Sequence, residues 1–331
     1  MLNILFMGTP DFAKESLESI YNAGHKIIGV VTNPDKPKGR GMKMSFSPVK
    51  EFAISKNIEV LQPLKIKNNE DFLNKVKTLN PDIICVVAYG KIIPQEILNI
   101  PKYGGINVHA SLLPKYRGAA PIQWAILNGD KTTGITTMFM DKGMDTGDML
   151  LKKEVQIGED ETTGELWTRL AKIGGELLVE TLKKLEKNTL ERTKQPEEFT
   201  LAPMLTKDIA EIKWNEFEAQ KIKNLVRGLN PIMGAYTFYQ NTKIKFWNVE
   251  ILQNEELLKI DESLEEYKYR LNKIEPGTII ISDEKKGLYI KAKNGIIKVK
   301  EIQGENAKRM NIQDYLRGNK LESGIVFGTI L

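Results

Sequence analysis

The feature that most constrains this chain is a set of short apolar runs without alternation, each followed by a helical stretch. The runs are LNILFMG at 2–8, HKIIGVVT at 25–32 and DIICVVA at 82–88, with helical periodicity near 11–23, 47–57 and 69–78. A strand apolar on both faces must be covered on both, so the pattern predicts βαβ units and a Rossmann-like, mostly parallel sheet in an α/β domain. The sheet is expected to continue through GGINVHA, GITTMFM and the alternating MLLKKEVQI, and an amphipathic helix near 162–188 closes it.

Beyond that helix the pattern changes. Residues 190–206, LERTKQPEEFTLAPMLT, carry two prolines and no periodicity, as a surface connection does. A helical pattern near 215–228 then gives way to AYTFYQ, TKIKFWNVEIL, GTIIIS, GLYIKA and GIIKVKEIQ, which predict a small antiparallel barrel. The charged segment 253–275 fits either a loop or a helix. With 331 residues, 41% of them hydrophobic, two domains are expected: 1–189, a linker at 190–206, and 207–331.

Several chemistries are disfavoured. Cys85 is the single cysteine and His25 and His109 the only histidines, so neither a disulfide framework nor a Cys or His metal cluster is expected. The opening apolar run has no basic flank and reads as a buried strand rather than a signal peptide, and no apolar stretch approaches the roughly 20 residues of a membrane span. A cytoplasmic protein without membrane contact is expected. The first strand-to-helix turn, Gly8-Thr9-Pro10-Asp11, has one glycine where a dinucleotide fingerprint needs three, and no GxxxxGK phosphate loop occurs. The net charge of +5 permits an RNA partner without requiring one.

The richest segment is GGINVHASLLPKYRGAAP at 104–121. Asn107 and His109, two apart on a strand, share one face where the strand opens into a loop, the usual place of a ligand crevice in open α/β sheets. Downstream, MDKGMDTGD places Asp141, Asp145 and Asp148 around Gly143 and Gly147, an order unlike a calcium-binding loop. A carboxylate from this loop beside His109 would orient the ring and favour its imidazolium form. An Asn, a His and an Asp without a nucleophilic Cys suit transfer of an acyl-like group to an amine, with Asn and His stabilising the oxyanion. Ser111 lies in no G-x-S-x-G elbow, which disfavours a serine hydrolase.

At these residues the chain resembles the methionyl-tRNA formyltransferase family. The likeness spans nearly the whole length, through FMGTPDFA, TNPDKPKGRGMKMSFSPVK, VVAYGKIIP, INVHASLLPKYRGAAPIQWAILNGD and MDKGMDTGDML. It implies transfer of the formyl group of 10-formyltetrahydrofolate to the α-amino group of methionyl initiator tRNA. It places the catalytic set on Asn107, His109 and Asp145, and folate contacts on Ser111, Leu112, Leu113 and Pro114. It further implies a pterin slot between Ala88, Tyr89, Gly90 and the Asp-Gly loop near 139–145, and tRNA contacts on Lys38, Arg40 and Lys43. The second domain is expected to be an OB-like barrel that grips tRNA. Lys243, Lys245, Lys291, Lys293, Lys298 and Lys300, at alternate strand positions, offer it a positive face. A monomer is expected. The rivals are another folate-dependent formyltransferase acting on a small amine or nucleotide sugar, and a non-catalytic RNA-binding protein.

Overall fold

The computed structural model describes residues 1–38, 43–261 and 273–328. The chain divides into two compact units that interleave in sequence. The first comprises Met1–Ile122, Thr132–Ile157 and Glu165–Met204; the second comprises Gln123–Lys131, Gly158–Gly164 and the chain from Leu205 onward.

The first half runs β1 (Asn3–Gly8), α1 (Asp11–Asn22), β2 (Lys26–Val31), β3 (Lys36–Lys38), β4 (Lys43–Ser45), α2 (Pro48–Ser55), β5 (Val60–Leu61) and α3 (Glu70–Leu79). It continues through β6 (Ile83–Val87), α4 (Gln95–Leu98), β7 (Gly105–His109), α5 (Pro121–Leu127), β8 (Thr132–Phe139), β9 (Met149–Gln156) and α6 (Thr163–Glu186). Helix starts follow local chemistry. Pro10 precedes α1 in extended conformation with Asp11 in the first turn, while the side chains of Ser47 and Asn69 cap α2 and α3 by accepting from the Lys50 and Phe72 amides. Asn80, at φ 47°, ends α3 in the left-handed region.

Seven strands form one sheet in the order β5-β2-β1-β6-β7-β8-β9. Pairing is parallel from β5 to β7 and antiparallel for β7–β8 and β8–β9. The expected covering of both faces is found: Ile4, Leu5, Phe6 and Met7 in β1 and Ile83, Ile84 and Cys85 in β6 are fully buried. Each such Ile, Leu or Phe contributes about 1.5–3 kcal/mol over its exposed state. The order reverses direction about β1, since the chain first builds outward to β2 and β5 and then to β6 and β7. The crevice of this sheet therefore opens at the carboxyl ends of the central strands.

The second unit contains a 3-10 turn at Lys207–Ala210, α7 (Ala219–Gly228), β10 (Ala235–Tyr239), β11 (Thr242–Leu252), α8 (Asn254–Ile260), β12 (Ile279–Asp283), β13 (Gly287–Ala292), β14 (Gly295–Gln303), β15 (Met310–Asn311) and α9 (Ile312–Gly318). The sheet order is β10-β11-β14-β13-β12, all antiparallel, with β15 beside β14. The last described residues join its edges. Ile279 N donates to Ile325 O at 2.9 Å, Phe327 N to Gly277 O at 2.8 Å and Gly328 N to Phe238 O at 2.7 Å. Trp214, Phe246 and Phe327 pack inside, Trp214 stacked on Phe327 at 6.2 Å. Part of the ambiguous segment, Asn254–Ile260, is a helix with a Gln253/Glu256 capping box; 262–272 lie outside the described residues.

The expected positive face of the barrel holds only in part, with Lys293 exposed. Lys291 is 4% exposed and reaches Gly295 O, because β13 is buried on both faces, and burial pulls its ammonium below the usual lysine range. Lys298 and Lys300 share Glu250 at 3.2 and 2.5 Å, and Lys245 donates to Met233 O at 2.8 Å. Lys243 lies over the Tyr236 ring. Among the described residues no helix is long and apolar enough to cross a membrane.

Candidate active site

Asn107 and His109 stand on β7 opposite Met138 and Thr136 of β8, and Asn107 also pairs with Val86 of β6. Strand alternation puts both side chains on one face. His109 is 6% exposed, and its Nε2 donates to Tyr116 O at 2.9 Å, since a carbonyl can only accept. That leaves Nδ1 for other partners. Asp145 comes from the loop between β8 and β9, in the left-handed region at φ 56°, which Asp tolerates better than most residues. Its Oδ2 accepts from Gly118 N at 2.9 Å and lies 3.6 Å from His109 Nδ1; its Oδ1 accepts from Asn107 Nδ2 at 3.4 Å. The structure thus brings Asn107, His109 and Asp145 together.

The remaining acidic residues of that loop have local work. Asp141 Oδ1 accepts from Gly143 N at 3.0 Å and Thr146 Oγ1 at 2.6 Å, shaping the turn that delivers Asp145. A Cβ at Gly147 would overlap the carbonyl oxygen of Phe139, so the return of the loop to β9 requires glycine there. Among the described residues no group of three or more His, Cys, Asp or Glu is placed to hold a metal.

Ser111 to Pro114 form the loop after β7. Thr136 Oγ1 donates to Ser111 O at 2.7 Å and accepts from Leu113 N at 3.1 Å, and Lys152 Nζ donates to Leu113 O at 2.5 Å. Ser111 Oγ donates to Lys115 O within the loop, and the Leu113–Pro114 peptide is cis. Burial holds Lys152 below the usual lysine range.

Ala88 and Gly90, at φ 44° and 75°, are exposed just past β6, with Tyr89 buried between them. Burial pushes the Tyr89 phenol up to about 12, and its hydroxyl has no hydrogen-bond partner among the described residues. Asn33 Nδ2 ties the end of β2 to this turn, donating to Thr9 Oγ1 and Tyr89 O at 3.1 Å each. The backbones of Lys38 and Lys43 are register partners in the β3–β4 pair; Arg40 lies outside the described residues. The base of that pair is anchored by Lys50, which meets Asp35 Oδ2 at 2.5 Å and Gln62 Oε1 at 2.8 Å. The Lys50 hydrogen bond holds the Asp35 carboxyl below its usual range.

Sequence reasoning missed the residues behind Asp145. The stretch read as a linker belongs, through Met204, to the first unit. Within it Gln195 donates to Asp145 O and Gly147 O, both at 2.8 Å, and accepts from Arg117 Nε and Nη2 at 3.0 and 2.8 Å. Nothing in a polar, proline-containing run marks such a residue, because its partners are backbone carbonyls about 50 positions away.

Fold and site together define a formyl transferase scaffold, and the family model for formyl transferase matches residues 2–182, with that for the formyl transferase C-terminal domain matching 204–320. Curated relatives named methionyl-tRNA formyltransferase include those of Caldanaerobacter subterraneus, 48% identical over 98% of this chain and 99% of that one, and Acetivibrio thermocellus, 49% identical over 99% and 100%. The chain belongs to the methionyl-tRNA formyltransferase family of enzymes. Solved structures share the fold at low identity. HypX from Aquifex aeolicus in complex with tetrahydrofolic acid aligns at TM-score 0.63 and 14% identity, over all of this chain and 51% of that one. An N-formyltransferase from Helicobacter canadensis, in complex with folinic acid and dTDP-3-aminofucose, aligns at 0.61 and 20% identity over 90% and 99%.

Proposed function

We propose that this protein transfers the formyl group of 10-formyltetrahydrofolate to the α-amino group of methionyl initiator tRNA, as a cytoplasmic monomer, with residues 1–189 forming the catalytic domain, 190–206 a connecting segment that packs on its loops, and 207–331 the tRNA-binding domain. The observation that carries it is the convergence of Asn107, His109 and Asp145. The alternative readings, a small-amine or nucleotide-sugar acceptor and a non-catalytic RNA-binding protein, are outcomes of the assay below.

The formyl donor supplies an electrophilic carbonyl carbon attached to a nitrogen that can leave once protonated. Asn107 has two N–H groups and spends one on Asp145, so the other is free to donate to the formyl oxygen as negative charge develops. His109 has Nε2 committed to Tyr116 O, so Nδ1 is the nitrogen that serves the reacting group. As an imidazolium it donates from Nδ1, and Asp145 at 3.6 Å orients the ring without consuming the proton in a short hydrogen bond. The acceptor amine enters uncharged and gives its electron pair to the formyl carbon. The C–N bond of the donor then breaks, the amine loses one proton and the donor nitrogen gains one, relayed by water.

The exposed peptide groups around Ala88 and Gly90 suit the donor and acceptor edge of a pterin, and the buried Tyr89 hydroxyl adds an unspent polar atom. Ser111, Leu112, Leu113 and Pro114 form the adjoining wall, through backbone more than side chain. Lys38, Arg40 and Lys43 reach the tRNA acceptor end. The test offers the purified protein 10-formyltetrahydrofolate with methionyl initiator tRNA, methionyl elongator tRNA or no acceptor. Formyl-methionine on the initiator alone is expected. Tetrahydrofolate release without formylated tRNA would move the acceptor to a small amine or water, and no turnover would leave an RNA-binding role.

A further inference from the structure

Residues 193–202 cross the loops that carry the reacting set. At one end Thr193 pairs with Met149, N to O at 2.9 Å and 2.8 Å; at the other Arg117 N donates to Thr200 O at 2.9 Å and Ala202 N to Arg117 O at 2.8 Å. Tyr116 N donates to Thr200 Oγ1 at 2.8 Å, and the Tyr116 carbonyl holds His109. Between these ends Gln195 is 7% exposed. Its amide uses its full capacity: two N–H groups to Asp145 O and Gly147 O, and two guanidinium donors received on Oε1. The guanidinium can only donate, so Oε1 must face Arg117 and the NH2 must face the carbonyls. Arg117 is in turn held by stacking 4.3 Å over Phe199 of the same segment.

We propose that Gln195 is a positioning residue for formyl transfer. It locks the turn at 145–147 by gripping both of its carbonyls, keeping Asp145 in the left-handed conformation that aims its carboxylate at Asn107, His109 and Gly118 N. The segment 193–202 is then a strap of the active site rather than a passive connection. This rests on the assignment of Asp145 to the reacting set.

The test compares Gln195→Ala, Gln195→Glu, Asp145→Ala and the Asp145→Ala/Gln195→Ala double variant in the full chain, measuring kcat, both KM values and thermal melting. Loss of alignment is expected to lower kcat about 10- to 100-fold in Gln195→Ala, with KM values within about two-fold. Gln195→Glu keeps the acceptor for Arg117 and loses both donors, so it folds and is expected to lose kcat as Gln195→Ala does. The double variant is expected to be no slower than Asp145→Ala, because Gln195 acts only through Asp145. Wild-type kcat in Gln195→Glu, or losses that multiply in the double variant, would overturn the proposal while Asp145 keeps its role. If Asp145→Ala itself retains full turnover, the site assignment falls and the strap with it.

Discussion

Asp145 combines three constraints in one residue: a left-handed backbone, a carboxylate shared among Asn107, His109 and the Gly118 amide, and a carbonyl held by Gln195. A carboxylate so placed holds the two donors beside it, and the proposed mechanism of formyl transfer draws on both. Removing an oxyanion donor from such a site costs roughly 10²–10³ in kcat. Asn107→Ala and His109→Ala are each expected to show losses of this order in single-turnover formylation with substrate binding confirmed; turnover near wild type in both would remove them from the mechanism. At this scale the sequence was legible for Asn107 and His109, since their spacing alone puts both on one face. It was not legible for Gln195, whose bonds to backbone carbonyls select no recognisable motif.

At the scale of elements, the site is an assembly of loops hung on a sheet whose central strands are buried on both faces. The apolar runs named β1, β2 and β6, and burial of their consecutive residues bore the parallel reading out. The β8–β9 loop must return along a tight path, and Gly147 permits it because no side chain fits against Phe139 O. Gly147→Ala is expected to cost about 1–3 kcal/mol through forced backbone shift. It is also expected to lower kcat, because the displaced carbonyl leaves Gln195. Chemical denaturation and formylation of the same preparation check both; an unchanged kcat in a destabilised variant would separate the loop from the chemistry. The barrel was legible as strands and turns, and Lys291 was misjudged as part of an exposed face. Alternation tells which side of a strand a residue takes, but not that both sides of β13 are covered or that Glu250 waits opposite Lys298 and Lys300.

For the whole molecule, the net charge is +5, and in the barrel Lys298 and Lys300 share Glu250 while Lys291 is buried. The proposed RNA contacts of Lys38, Arg40 and Lys43 are tested by salt. Binding of initiator tRNA is expected to weaken by about 10-fold or more between 50 and 200 mM salt, and neutralising Lys38, Arg40 and Lys43 together should flatten that dependence. Filter binding across a salt series measures both, and an unaltered slope in the triple variant would move the RNA contacts elsewhere. By itself the sequence determined the longer helices and the main strands, the doubly covered sheet, the antiparallel second unit and the Asn-His pair, all properties set by near neighbours along the chain. Only the tertiary structure decided that Asp145 meets Asn107 across 38 positions and that Gln195 holds it across 50. It also decided which lysines remain exposed. These are bonds closed by packing and by backbone atoms, which every residue shares and no local pattern records.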